Sequence, residues 1–455
     1  MKERIVILGG GESGVGAALL ALAHGHDVFL SDSSPLAADR KATLLQHGIA
    51  FEEGAHTESK LVNATTVVKS PGIPDKAPLI KKLTAMGIPV ISEIEYGYRY
   101  LPEGAKMIAL TGTNGKTTTT LLTYHLLKSA GVSVALGGNV GTSLAGLVAA
   151  GSHDYYVIEI SSFQLDGTVT FRPDVAVLLN ITPDHLDRYN YQMSNYVASK
   201  FLITKNLTAA DAFIYSVDSA PVVSGLAERR VKAALLGFTT ERQEQLPGFI
   251  DGNELIVTYK GDRHAFAISE LPLIGKHNMG NIMAAVISAL AVGISIDEIK
   301  KGLRTFKNAP HRLEHVGTID GVKYINDSKA TNVDAVYYAL EGVKAPIVWI
   351  VGGIDKGNEY DQVMALVKEK VTTIVCMGKD NAPIKRAFGD TGIPLYETLS
   401  VTEAIERAQD VAKPGDVVLL SPACASFDLF RNYEDRGDQF RAAVQALASK
   451  RKEKV

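Results

Sequence analysis

The segment Thr111-Gly-Thr-Asn-Gly-Lys-Thr117 constrains this chain more than any other. It follows a short apolar run, Lys106 to Leu110, that reads as a strand. It precedes Thr118 to Lys128, whose pattern predicts a helix ending near Gly131. A strand, a glycine-rich turn and a helix N-terminus in that order make a phosphate site, because backbone N–H groups point outward and the helix dipole favours negative charge. Lys116 is placed to reach the β- and γ-phosphates of a nucleotide, and the Thr117 hydroxyl to hold Mg²⁺. The eight-residue P-loop pattern is not met, since its first glycine falls on Leu110. The loop is a shortened version anchored by Gly112 and Gly115. The plainer alternative is an ordinary strand–helix turn with a surface lysine.

With 455 residues the chain has room for about three domains. A net charge of −3 gives no reason to expect a nucleic acid or an anionic membrane as partner. Two cysteines, Cys376 and Cys424, are too few for a secreted disulfide framework and read as buried free thiols. The sequence opens directly into a strand, without a signal-peptide pattern, and has no apolar run approaching the ~18 residues of a membrane span. A cytoplasmic protein is expected.

Strand-like and helix-like patterns alternate throughout, which predicts an α/β fold with mostly parallel sheets. Three segments follow: 1–94, 95–306 and 307–455. In the first, Arg4 to Leu8, the glycine turn Gly9 to Gly16, a helix through His24, and a strand ending near Asp32 make a βαβ opening of Rossmann type. The turn does not fit G-x-G-x-x-G from Gly9 or from Gly11, so an NAD site is disfavoured. Val67 to Pro74 reads as a second strand and turn. In the middle segment Tyr155 to Ile160 and Val175 to Leu179 read as buried strands, and a long helix begins about Asn278. In the third, Tyr324-Ile325, Ile347 to Val351, Thr373 to Val375 and Val417 to Leu420 are strands.

Chemistry-bearing residues gather at predicted strand ends, where open α/β sheets place their ligands. Glu159 ends one strand, opposite the phosphate loop, and is a natural ligand for a nucleotide's Mg²⁺. His185, in Asn180 to Asp187, follows another. Lys200 lies within a helical pattern and by spacing alone reads as a surface charge. Three polar loops in the last segment, Asn326 to Asn332, Gly352 to Gly357 and Ser421 to Asp428, each follow a strand and together suggest a binding edge.

Taken in order, TGTNGKT (111–117), EISSFQL (159–165), NITPDHLDRY (180–189), HNMGN (277–281), HR (311–312) and NDSKATN (326–332) resemble the Mur ligases over essentially the whole chain. NDSKATN and SPACASFDLF (421–430) are most similar to the branch that adds D-glutamate. The resemblance implies a Rossmann-like N-terminal domain for the UDP end of the substrate, a central P-loop-type ATPase domain, and a Rossmann-like C-terminal domain for the incoming amino acid. It implies ATP-dependent ligation of D-glutamate to UDP-N-acetylmuramoyl-L-alanine through an acyl phosphate, in peptidoglycan precursor synthesis, by an enzyme expected to be a monomer.

By resemblance, Gly112, Thr113, Asn114, Gly115, Lys116, Thr117 and Thr118 cradle ATP, and Asn278, Asn281, Arg312 and Asp327 complete the nucleotide site. Thr117 and Glu159 would hold one Mg²⁺, His185 and a carbamylated Lys200 a second. Ser13, Asp32, Ser70, Pro71 and Gly72 match the uridine diphosphate site, and Asn139 the substrate-carboxylate contact. Lys329, Thr331, Lys356, Ser426, Phe427 and Tyr433 match the D-glutamate pocket. Two departures stand out: Ser34 where some relatives carry an arginine, and Tyr433 where Phe is frequent. Alternatives are a folylpolyglutamate synthase-like ligase, which lacks the N-terminal βαβ segment, and a nucleotide-gated binding module.

Overall fold

The computed structural model describes residues 2–273 and 275–452. The chain falls into two compact units. One holds the residues up to Pro272 together with Gly280–Phe306; the other holds Leu273–Met279 and the residues from Lys307 on.

The first unit contains two sheets. The first is all parallel, with strands β1 (Arg4–Leu8), β2 (Asp27–Asp32), β3 (Ala50–Glu53), β4 (Thr66–Lys69) and β5 (Val90–Ser92) in the order β3-β2-β1-β4-β5. Ile5, Val6, Ile7 and Leu8 are all buried, so both faces of β1 are covered, which is why the run is apolar without alternation. Strand order reverses between β1 and β4. The turns after those two strands, from Gly9 and from Ser70, therefore border the switch-point crevice.

The second sheet has nine strands: β6 (Lys106–Thr111), β7 (Val134–Gly138), β8 (Tyr155–Glu159), β9 (Val175–Leu178), β10 (Ala212–Ser216), β11 (Ala234–Phe238), β12 (Gly248–Asp251), β13 (Glu254–Tyr259) and β14 (Asp262–Ala267). Their order is β14-β13-β12-β11-β10-β9-β6-β8-β7. The strands from β6 to β11 are parallel, and β12 to β14 continue the sheet as an antiparallel meander. Strand β6 is the switch point, flanked by β8 and β9. The loops after β6, β7, β8 and β9 thus rise from one sheet edge.

These two sheets are tied to each other. Glu93 Oε1 accepts a hydrogen bond from the Ala145 amide, and a Cβ on Gly97 would come 2.8 Å from that same nitrogen. Glu95 Oε2 accepts from the amides of Val169, Thr170 and Phe171.

In the second unit, β15 (Glu314–Ile319), β16 (Val322–Asn326), β17 (Ile347–Val351), β18 (Val371–Met377), β19 (Leu395–Thr398) and β20 (Val417–Leu420) pair in the order β15-β16-β20-β17-β18-β19. Only β15 runs antiparallel to its neighbour. Trp349, wholly buried in β17, donates from Nε1 to Ser421 O at 2.8 Å. Cys376 and Cys424 are free and buried. No helix among the described residues is long and apolar enough to cross a membrane.

Local details differ from the sequence reading. The helix after the phosphate loop begins at Lys116, two residues earlier than Thr118, and the long helix expected from Asn278 begins at Lys276. The meander β12–β14 was not foreseen: β12 and β14 lack a continuous apolar run, and only β13 carries one, Leu255 to Val257.

Candidate active site

The phosphate loop joins β6 to the helix Lys116–Ser129. Gly115 is the residue before the helix and has φ +83°, a left-handed conformation that glycine adopts without Cβ strain. A Cβ there would also come 2.4 Å from Asn281 Oδ1, so any larger residue would force the loop or the Asn281 side chain to shift. The loop is held by Asn180 from the end of β9. Its Oδ1 accepts from the Asn114 amide at 2.8 Å, and its Nδ2 donates to Asn114 O at 3.0 Å. Thr113 Oγ1 donates to Thr182 O, accepts from the Thr182 amide, and meets the Tyr196 hydroxyl. Thr118 is buried and Thr117 half-buried at the start of the helix.

Two lysines converge on this loop. Lys116 Nζ donates to Gly112 O at 2.8 Å and to Thr113 O at 2.7 Å. Lys200 Nζ donates to the same Gly112 O at 2.8 Å and to Thr111 Oγ1 at 3.2 Å. Lys200 is 2% exposed, so the surface position suggested by its spacing is corrected. The helix Met193–Phe201 turns Tyr196 and Lys200, four residues apart, toward the sheet. Burial, and then the nearby charge of Lys116, push the Lys200 ammonium well below the ordinary lysine range.

Glu159, at the end of β8, is also buried. Its Oε1 accepts from Asn139 Nδ2 at 2.8 Å, while Oε2 has no hydrogen-bond partner. An unsatisfied buried carboxylate oxygen is costly unless a cation or donor completes it. His185 follows β9 in a left-handed conformation, φ +51°, with its ring 5.2 Å from Phe163. Asn139, Lys116, His185 and Lys200 line one cleft of about 210 Å³, together with Asp184 and Tyr196, which the sequence reading passed over. Among the described residues no three His, Cys, Asp or Glu side chains cluster as a ready-made metal cage. Any ion here would draw on hydroxyl and phosphate oxygens as well.

A second cleft, of about 350 Å³, opens at the switch point of the first sheet and is lined by Ser13, Asp32, His56, Ser70, Pro71 and Gly72. Asp32 accepts from the Gly10 amide at 2.6 Å and from the Ser34 amide at 2.8 Å, so the acid at the β2 tip organises both neighbouring turns. His56, bonded through Nδ1 to Ser31 Oγ, is a further polar group that no motif announced.

In the second unit the three polar loops are linked by a residue absent from the sequence reading. Arg436 is 1% exposed, and its guanidinium donates to Ser328 Oγ and O, Gly352 O and Cys424 O. Each loop thus supplies it an acceptor. Its spacing from the buried Phe440 and Val444, four and eight residues on, was the available clue that it lies on the inward helix face. Asp327 is buried among the same loops, accepting from the Leu313 amide and Ser421 Oγ; burial raises its carboxyl to about 7. Lys329 Nζ lies 3.6 Å above the Tyr433 ring. Thr331 is half-buried and its amide donates to Lys329 O. Lys356 is exposed on a turn shaped by Asp355, whose Oδ1 accepts from the Gly357 and Asn358 amides. Ser426 is buried while Phe427 is 69% exposed. Arg312 is half-buried and Asn278 buried within this unit, whereas Asn281 belongs to the first.

Comparison with known proteins agrees with this architecture. Residues 3–92 match the family described as Mur ligase MurD-like, N-terminal domain. Residues 110–289 match the Mur ligase middle domain, and residues 311–424 the Mur ligase glutamate ligase domain. A UDP-N-acetylmuramoylalanine–D-glutamate ligase of Cytophaga hutchinsonii is 54% identical over 450 residues, covering 98% of this chain and 100% of the relative. One of Bacteroides fragilis is 49% identical over 448 residues, with 98% and 100% coverage. Among solved structures, a UDP-N-acetylmuramate-alanine ligase from Thermotoga maritima superposes with TM-score 0.62 at 19% identity, covering 98% of this chain and 99% of its own. The fold, the ordered loops and these full-length identities converge: the chain belongs to the Mur ligase family.

Proposed function

We propose that this chain joins D-glutamate to UDP-N-acetylmuramoyl-L-alanine at the cost of ATP, in peptidoglycan precursor synthesis. The carrying observation is the cleft where Lys116, Lys200, Asn139 and His185 meet beside a helix N-terminus. A carboxylate is a poor electrophile at neutral pH and must be activated. The γ-phosphoryl group passes from ATP to the alanine carboxylate, forming a new P–O bond as the bond to ADP breaks. The D-glutamate amine then attacks the carbonyl carbon, loses a proton and expels phosphate. Both partners in the first step are anions, so positioned positive charge supplies most of the assistance. Lys116 serves the transferred phosphoryl group, with the loop amides from Gly112 to Thr118 around it. Asn139 and His185 orient the carboxylate.

The cleft suits Mg²⁺. Glu159 Oε2, buried and without a partner, and the Thr117 hydroxyl would hold the ion. Bound there, Mg²⁺ would supply charge neutralisation for phosphoryl transfer. For a second ion, His185 and Lys200 are the donors. An ammonium cannot ligate a cation, but the neutral amine favoured by burial is the form that adds CO₂, and the resulting carbamate offers oxygen. The wider cleft takes the uridine diphosphate end through Ser13, Asp32, Ser70, Pro71 and Gly72. Asn278, Asn281, Arg312 and Asp327 serve the nucleotide, and Lys329, Thr331, Lys356, Ser426, Phe427 and Tyr433 receive D-glutamate. The reading puts the enzyme in the cytoplasm as a monomer.

The test is phosphate release from ATP with UDP-N-acetylmuramoyl-L-alanine present and each amino acid supplied in turn. Release that depends on D-glutamate is expected. Slow release indifferent to amino acid would replace this reading with a nucleotide-gated module, and use of a pteroate acceptor would replace it with a folylpolyglutamate synthase-like one.

A further inference from the structure

The loop after β9 holds three non-glycine residues in left-handed conformations within seven positions: His185 at φ +51°, Asn190 at +55° and Tyr191 at +57°. Such residues persist only where surrounding contacts over-determine them. Some of those contacts are internal: the Tyr189 hydroxyl donates to Asp166 Oδ2 and meets Ser199 Oγ. Others run to the first sheet. The Arg188 guanidinium stacks 4.4 Å from the Phe163 ring centroid, donates to Pro71 O at 3.2 Å and to Gly72 O at 3.3 Å. The next carbonyl of that turn is also held by a cation. Lys69, 5% exposed, donates from Nζ to Ile73 O at 2.8 Å.

Three successive carbonyl oxygens, on Pro71, Gly72 and Ile73, are therefore each bound by a cationic side chain. Pro71 and Gly72 line both clefts, the one of about 350 Å³ and the one of about 210 Å³. They form the saddle between them. Carbonyl oxygens left free on a saddle would repel an anionic ligand lying across it, and donors on those oxygens neutralise that repulsion.

We propose that Arg188 is a positioning and specificity residue, which fixes the Pro71–Gly72 saddle so that a substrate anchored by its nucleotide in one cleft delivers its carboxylate to the other at a set reach. This rests on assigning the wider cleft to the uridine diphosphate end. Arginine suits the task, because its planar fork reaches two adjacent carbonyls and can stack on a ring, whereas lysine is a single point of charge.

The experiment is steady-state kinetics of the full chain as Arg188→Met, Arg188→Lys and Phe163→Leu, with melting temperatures. For Arg188→Met the KM for UDP-N-acetylmuramoyl-L-alanine is expected to rise roughly tenfold, the loss of two modest hydrogen bonds, while the KM for ATP stays within about twofold. Arg188→Lys should recover part of that loss, and Phe163→Leu should move the same KM by a smaller factor. Combining Arg188→Met with Phe163→Leu should cost less than the product of the two, because both act on one stack. Unchanged substrate KM in Arg188→Met, or an equal rise for ATP, would overturn the proposal. A native enzyme that does not use the UDP substrate would instead remove the underlying function, and the two failures are separately visible.

Discussion

Lys116 and Lys200 donate to one and the same oxygen, Gly112 O, each at 2.8 Å. Two ammonium groups on a shared acceptor repel. Burial first, and then the charge of Lys116, hold Lys200 well below the ordinary lysine range. Replacing Lys200 with Ala should abolish turnover while leaving the fold, and short carboxylic acids should restore part of the rate by standing in for a carbamate. Arg at this position should stay inactive, since it remains cationic and fills the space. Activity assays with added formate or acetate decide it; an inactive Lys200→Ala that no small acid helps would discard the carbamate.

Gly115→Ala tests the loop from the backbone side. The new Cβ would meet Asn281 Oδ1 at 2.4 Å in a left-handed conformation, so either the loop or Asn281 must move. Nucleotide positioning should suffer most, with turnover down by two orders of magnitude or more (~10²) as for other small misplacements at reacting centres. Kinetics with ATP varied, alongside a melting curve, separate this from general unfolding.

Amino-acid selectivity tests the second unit. D-Glutamate brings two carboxylates, and Lys329 and Lys356 stand on separate strand-end loops. Lys356→Ala should raise the KM for D-glutamate far more than that for ATP. The native enzyme should discriminate by ~10⁴ against D-glutamine, which would leave a cation of the pocket unpaired. Competition assays measure both, and ready use of D-glutamine would assign these loops elsewhere.

Glu93 makes stability depend on pH. Burial is the main cause that raises its carboxyl to about 7; the Ala145 amide opposes this and the charge of Glu12 adds to it. A carboxyl with a raised folded value stabilises the fold below its ordinary value of 4.5, and that contribution is lost as pH rises through about 7. Within this window the native chain should lose about 1.4 kcal/mol per pH unit relative to Glu93→Gln, which mimics the protonated group. Melting temperatures at pH 5 and pH 8 should show the gap widening in favour of the variant; a constant gap would mean that Glu93 titrates alike in both states.

The sequence carried the loops better than their supports. The strand-end positions of Thr111 to Thr117, Glu159 and His185 were legible because each ends or follows an apolar run. Lys200 was not, since a lysine in a helical pattern is ordinarily solvated and only its spacing from Tyr196 hinted at an inward face. Resemblance, not periodicity, named it. Asp184 and Arg188 sit in a strained loop whose partners, Pro71 and Gly72, lie more than a hundred residues away, and no local pattern encodes such a pairing. The strands β12 to β14 were missed for a related reason: the antiparallel pairing of β13 with β12 and β14 depends on partners that no single run encodes.

Arg436 has a consequence for anyone altering the amino-acid pocket proposed at these loops. Its guanidinium binds oxygen atoms from the loops after β16, β17 and β20 at once. Those loops are one mechanical part, joined by Arg436 and by direct bonds such as Ser421 Oγ to Asp327 and the Ala423 amide to Ala330 O. A loop exchanged alone would strand a buried cation and shift the other two, so a new specificity must be transplanted as the set of three with the arginine that joins them.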